Sequence, residues 1–203
     1  MTFEIHADHI GKKFSHGYIF KSVSFNVKSG QVLSIAGHNG SGKTTLLKII
    51  AGLVYPEKGK VSILQNGREI SFPYIGVIGL VGPYLEVYDQ LTAVENLAFF
   101  ASQLGCKLQE NDFISILDHV GLKGRYNDPV GAFSSGMKQR MKYALLYLKK
   151  FPIYMLDEPT SNFDDAGREL FHTFVEEHRE SIIIIASNHE EEIELGDIKV
   201  ELS

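Results

Sequence analysis

The chain has 203 residues, 44% hydrophobic and 22% charged, which suits a folded soluble core and excludes a disordered or membrane-embedded protein. Its net charge of −5 gives no general attraction to nucleic acid or anionic lipid, and its single cysteine, Cys106, excludes an internal disulfide and a Cys-rich metal site. No apolar run approaches the roughly 20 residues that span a bilayer, and the opening MTFEIHADHI is too polar for a signal peptide, so a cytoplasmic protein is expected that reaches a membrane only through a partner.

Thr2 to Ile10 alternates loosely and predicts a strand. SVSFNV, KSG and QVLSIAG follow as strand, tight turn at Lys28–Gly30, and strand. The second of these runs into a glycine-rich loop, after which GKTTLLKIIAGL reads as a helix. Asn66–Gly67, between VSIL and REISF, is a two-residue hairpin signal, and GVIGLVG (76–82) predicts a short buried strand. The character then changes. Thr92-Ala-Val-Glu95 is a capping box that opens a helix through about Leu104. NDFISILDHVGL has helical spacing, and a third helix runs from Ser135 to about Lys150. Strand signals resume with PIYMLDEP. A helix from about Asp164 to Arg179, the strand SIIIIASN, a short acidic helix and the strand IKVEL complete the series.

The pattern predicts an α/β fold with a mostly parallel, covered sheet, an N-terminal antiparallel β part and an inserted all-helical subdomain. One domain is expected over 1–203, with a core from 1–82 and 151–203 and the helical subdomain at 83–150.

Gly37-His-Asn-Gly-Ser-Gly-Lys-Thr-Thr45 fits the P-loop pattern G-x-x-x-x-G-K-[ST] and lies between a strand and a helix, as that motif requires. Glycines let several backbone N–H groups wrap a phosphate, Lys43 supplies a cation to the outer phosphates, and the Thr44 hydroxyl is placed for Mg²⁺. Gly37, Asn39, Gly40, Ser41, Gly42, Lys43, Thr44 and Thr45 are therefore expected around a nucleoside triphosphate on a P-loop NTPase core. YMLDE ends an apolar strand in two carboxylates, of which Asp157 suits Mg²⁺ and Glu158 the attacking water. His189 follows the strand SIIIIASN, where it could face the γ-phosphate. FSSGMKQR (133–140) opens the third helix with two serines and a glycine. Serine caps such a helix, yet glycine is a poor choice for its first turn, whose exposed amides favour an anion.

These residues, in this order, resemble the nucleotide-binding subunit of an ATP-binding cassette (ABC) transporter across essentially the whole chain. GHNGSGKTT matches the family's Walker A loop, FSSGM stands where it has the LSGGQ signature, and YMLDEP matches Walker B with its adjacent glutamate. SNFD (161–164) matches the D-loop, SNH (187–189) the switch histidine, and LTAVENL (91–97) the segment that opens the helical subdomain. The resemblance implies ATP and Mg²⁺ as ligands. Glu158, His189 and Lys43 become the catalytic residues, Thr44 and Asp157 the metal ligands, and Phe14 the adenine-stacking aromatic, with Tyr18 as an alternative. It also implies a head-to-tail pair of nucleotide-binding subunits, expected to be a homodimer. There Ser134, Ser135 and Gly136 of one copy would cover the γ-phosphate held by the other. An integral membrane permease on a separate chain is the further partner, contacted chiefly through 83–110. The protein would sit at the cytoplasmic face of the membrane, with no nucleic acid bound. Two alternatives stand beside this one: a soluble ABC-type ATPase outside transport, and a weakly hydrolysing regulatory module.

The chain departs from the family pattern at three places, one of them Phe14, where the family usually has tyrosine. Aligned on Leu91–Thr92, Pro83 occupies the position of the family's glutamine and can contact neither Mg²⁺ nor water through its side chain. Slow basal hydrolysis or altered coupling to the partner is the expected consequence. Ser135 replaces the first glycine of the signature.

Overall fold

The computed structural model describes residues 1–14 and 17–202. Ser15 and His16, between the candidate aromatics Phe14 and Tyr18, lie outside the described residues, as does Ser203.

Nine strands and six α-helices form among the described residues. β1 (Phe3–Phe14) and β2 (Gly17–Lys28) make a long antiparallel pair, which β4 (Lys58–Gln65) and β5 (Arg68–Glu69) extend to a sheet in the order β2-β1-β4-β5. β4 and β5 meet at the predicted hairpin, where Asn66 and Gly67 both take positive φ, 49° and 76°. The second sheet has the order β6-β7-β8-β3-β9, built from β3 (Val32–Gly37), β6 (Ile78–Val81), β7 (Ile153–Asp157), β8 (Ile182–Ser187) and β9 (Ile198–Leu202). Its β7–β8, β8–β3 and β3–β9 pairs are parallel. Every residue of β7 and β8 is buried, which explains why they read as unbroken apolar runs rather than alternating ones.

The chain divides into two compact units. The first comprises Met1–Gly79, Pro152–Pro159 and the chain from Glu177 onward. It holds the first sheet and all of the second but Leu80 and Val81 of β6, and α1 (Lys43–Ile50) packs on β3, β7 and β8 through Leu46, Leu47, Ile49 and Ile50. The second comprises Leu80–Phe151 and Thr160–Glu176. It contains α2 (Ala93–Gln103), α3 (Glu110–His119) and α4 (Ser135–Leu146), together with most of α5 (Asp165–Glu177). α6 (Glu190–Ile193) belongs to the first unit.

The second unit is wider than the helical subdomain expected at 83–150, because residues 160–176 join it. Its core supplies the reason. Tyr143 of α4 is fully buried, with ring centroids 5.5 Å from Phe163 and 5.4 Å from Phe174, and Tyr147 meets Phe174 edge-on at 5.6 Å. Aromatic contacts of this kind add to the area that the rings bury. The capping box forms as read: Glu95 N–H donates to Thr92 Oγ1 at 3.2 Å, and Thr92 N–H donates to Glu95 Oε2 at 2.8 Å. α4 stops at Leu146, short of the predicted Lys150.

Candidate functional site

The glycine-rich loop leaves β3 and turns into α1, as the strand–loop–helix reading requires. Gly42 caps α1 in the left-handed region at φ 102°, and a Cβ there would collide with Ile19 Cγ2, so only glycine fits. Around the loop lies a cavity of about 220 Å³. Asn39, Gly40, Gly42, Lys43, Thr44 and Thr45 line it from one side, Glu158 and Ile19 from elsewhere in the same unit. Six of the predicted loop residues and the predicted water-orienting carboxylate thus share one cavity. The remaining two loop residues support it. Gly37 offers its carbonyl to Lys43, and Ser41 is buried with its amide donating to His38 O at 3.1 Å.

Lys43 is almost wholly buried. Its ammonium donates to Gly37 O at 2.9 Å and His38 O at 3.3 Å, and lies 3.5 Å from Glu158 Oε1. Glu158 takes positive φ, 51°, and its amide donates to Ala186 O at 2.9 Å, which fixes the carboxylate just beyond the carboxyl end of β7.

Asp157 is the buried carboxylate of the site. Thr44 Oγ1 donates to its Oδ2 at 2.6 Å, while Oδ1 is buried with no hydrogen-bond partner among the described residues. Burial pushes the Asp157 carboxyl above the usual carboxylate range. The Thr44 hydrogen bond and the nearby lysines oppose this, and Glu158 reinforces it. A partnerless buried oxygen beside a threonine hydroxyl suits a hard divalent cation, whose charge would relieve that penalty. No group of three or more His, Cys, Asp or Glu side chains suited to a metal occurs among the described residues.

Other predicted residues lie at the margin. His189 is exposed at the start of α6, with its amide donating to Ser187 Oγ at 2.9 Å. Its neighbour Asn188 reaches Asn39 Oδ1 at 3.4 Å, so the SNH segment touches the loop through asparagine. Phe14 is half exposed at the end of β1 with the Lys12 ammonium 5.3 Å from its ring, and Tyr18 is similarly exposed beside Lys58. Sequence reasoning missed Ile19 and Asn188. An isoleucine in a strand carries no chemical signal, and nothing in the SNH segment marks Asn188 apart from the histidine beside it.

The serine–glycine turn belongs to the helical unit. Ser134 is the N-cap of α4, its Oγ accepting the Met137 amide at 3.2 Å, and both Ser134 and Ser135 are exposed. A Cβ on Gly136 would sit 3.2 Å from the carbonyl oxygen of Asn162, so this glycine has a reason within its own chain. Pro83 is exposed in the turn closed by the Leu85 amide donating to Gly82 O at 3.1 Å. There its fixed φ suits the second position.

Residues 20–161 match the family model for the ABC transporter. The chain is 34% identical over 197 residues to the uncharacterized ABC transporter ATP-binding protein YybJ of Bacillus subtilis, covering 95% of this chain and 89% of that one. It is 32% identical over 196 residues to the cytochrome c biogenesis ATP-binding export protein CcmA of Pasteurella multocida, covering 94% and 91%. Among solved structures, an ABC transporter ATP-binding protein of Pyrococcus furiosus superposes with a TM-score of 0.84 at 25% identity, over 98% of this chain and 97% of that one. A buried lysine and a threonine–aspartate pair on a P-loop, in a chain matched from Phe20 to Ser161, lead to one conclusion: this protein is a member of the ABC transporter family.

Proposed function

We propose that this chain is the ATP-binding and hydrolysing subunit of an ABC transporter, working as a head-to-tail dimer beneath a separate membrane permease. The observation that carries the site assignment is the Thr44–Asp157 pair with its partnerless buried Oδ1, set beside Lys43 and Glu158.

ATP lies on the loop from Gly37 to Thr45, with its adenine stacked on Phe14. Lys43 neutralises the β- and γ-phosphates. Thr44 and Asp157 hold Mg²⁺, which when bound shields the phosphate oxygens and balances the charge of Asp157. Glu158 orients the attacking water and accepts its proton, and His189 contacts the γ-phosphate. Phosphoryl transfer asks for positioning and charge stabilisation more than for covalent chemistry, and this set of residues supplies both. Ser134, Ser135 and Gly136 cover the γ-phosphate held by the partner copy, with the first-turn amides of α4 directed at it.

The membrane subunit has surface to meet. In the helical unit Tyr88 and Phe99 are partly exposed and stack edge-on at 5.0 Å, within the expected contact region 83–110. In the first unit Leu53, Tyr55, Phe72 and Ile75 are exposed, and Tyr55 and Phe72 line a groove of about 390 Å³. Apolar surface concentrated in this way marks an interaction site. No helix among the described residues is long and apolar enough to cross a membrane. In this reading the chain works peripherally, at the cytoplasmic face of the membrane that holds the permease.

Glu158→Gln tests the reading. Turnover should fall by about a hundredfold or more, the scale of a lost general base. The variant should elute as a dimer on gel filtration with ATP and Mg²⁺. A persistent monomer under those conditions overturns the dimer.

A further inference from the structure

We propose that Lys138 and Lys142 strap the segment Gly82–Leu91 to the helix that carries Ser134–Gly136, which makes Lys142 a positioning residue for the phosphate clamp. The proposal rests on the cross-dimer role of that clamp given above, and adds the route by which the segment's position reaches it.

The two lysines stand one turn apart on α4, so they share a face. Lys138 Nζ reaches Asp89 Oδ1 at 2.7 Å, and Lys142 Nζ donates to Gly82 O at 3.1 Å. One grip therefore falls near each end of the segment. Between them the chain borders a cavity of about 370 Å³, with Leu85, Glu86 and Val87 on one wall and Ser135, Gln139 and Lys142 on another. Across 85–87 the segment faces this open space, so its hold on α4 falls to the two grips.

Further ties lead into the same unit, among them the Val130 amide donating to Leu91 O at 3.0 Å and Tyr88 stacked on Phe99 and Phe100. Asn96, fully buried, accepts the Tyr88 amide at 2.8 Å and donates to Tyr88 O, Leu91 O and Thr92 O, while the Gly131 amide donates to Asp89 O at 2.8 Å. Lys142 occupies a costly place. Its half-buried ammonium is pushed toward the neutral form by desolvation, which nearby Glu86 opposes. A methionine would avoid that cost, so the lysine serves position more than stability.

Pro83 makes the strap consequential. Its side chain offers no donor or acceptor, so position 83 cannot signal through a hydrogen bond of its own. The carbonyl immediately before it, that of Gly82, is the atom Lys142 holds. α4 is one uninterrupted helix from Ser135 to Leu146, so a displacement of 82–91 is carried along it to Ser134–Gly136.

The test uses Lys142→Met, with Lys142→Arg as the conservative rescue. Lys142→Met should lower kcat about tenfold while ATP affinity of the monomer stays within about twofold, and Lys142→Arg should recover most of the loss. In a Glu158→Gln background, ATP should slow hydrogen exchange in both 82–91 and 134–140; with Lys142→Met added, only 134–140 should respond. Unchanged kcat with both segments responding overturns the strap, as does a loss of ATP affinity in step with kcat. Should Lys142→Met fail to fold, Lys138→Met and Asp89→Asn replace it: each should uncouple the segments, with the double variant no worse than either. Additive effects there overturn the strap. A protein that forms no ATP-dependent dimer in any variant refutes the dimer instead, and the strap then stands or falls on faster exchange across 82–91 in nucleotide-free Lys142→Met.

Discussion

Asp157 concentrates the electrostatics of the site in one side chain. Burial raises its pKa, so the folded protein binds that proton more tightly than the unfolded chain does. Stability from this group therefore falls as pH rises from the ordinary carboxylate range through the raised folded value, and the full penalty stands above it. Asp157→Asn removes the penalty. In EDTA at neutral pH its melting temperature should exceed the native protein's by a few degrees, and the gap should close below the ordinary carboxylate range. Mg²⁺–ATP should raise the melting temperature of the native protein and not of the variant. Thermal denaturation across pH, with and without nucleotide, measures both. The position of this carboxylate at the end of a buried strand was legible in the sequence, from the apolar run that precedes it. Its partnerless Oδ1 was not legible, since a buried orphan atom depends on packing by residues far away in the chain.

Elements declared themselves where their cause is local. The Asn66–Gly67 hairpin and the Thr92–Glu95 capping box are dictated by a few adjacent residues, and both form as read. The boundaries of β1 and β2 were not visible: pairing across the sheet carries them to twelve residues each, past the point where alternation fades. Residues 160–176 join the helical unit because Phe163 and Phe174 meet Tyr143, a tertiary contact with no mark in either segment alone. α4 shows three causes meeting at one turn. Ser134 caps it, Gly136 leaves room for the Asn162 carbonyl, and the cross-dimer reading adds a phosphate to the same amides. Ser134→Ala separates them. Loss of the cap should cost about 1 kcal/mol in urea denaturation of the monomer. If Ser134 also meets the partner's nucleotide, ATP-driven dimerisation in a Glu158→Gln background should weaken by more than that loss accounts for. Analytical ultracentrifugation at several protein concentrations gives the comparison.

At the scale of the molecule, the departure at Pro83 sets the expected pace of the enzyme. The proline is exposed and seated in a turn that tolerates other residues at its second position, so Pro83→Gln should fold normally. It should raise ATP turnover several-fold by returning a side chain able to orient water, with the rate rising as the square of protein concentration while dimers are scarce. A rate unchanged across Mg²⁺ and ATP concentrations would show that position 83 does not limit the native protein.

The order of strands also governs how the protein comes into being. β3, which delivers the glycine-rich loop, has β8 on one side and β9 on the other, and Val32 pairs with Ile183 while Leu33 pairs with Ile198. A ribosome that has made the loop must still make more than a hundred residues before either neighbour of that strand exists. Until then β3 has two bare edges, a condition that invites aggregation. Contacts this distant in sequence also form late and slowly. The nucleotide loop, translated long before both neighbours of the strand that delivers it, therefore acquires its shape only after they arrive.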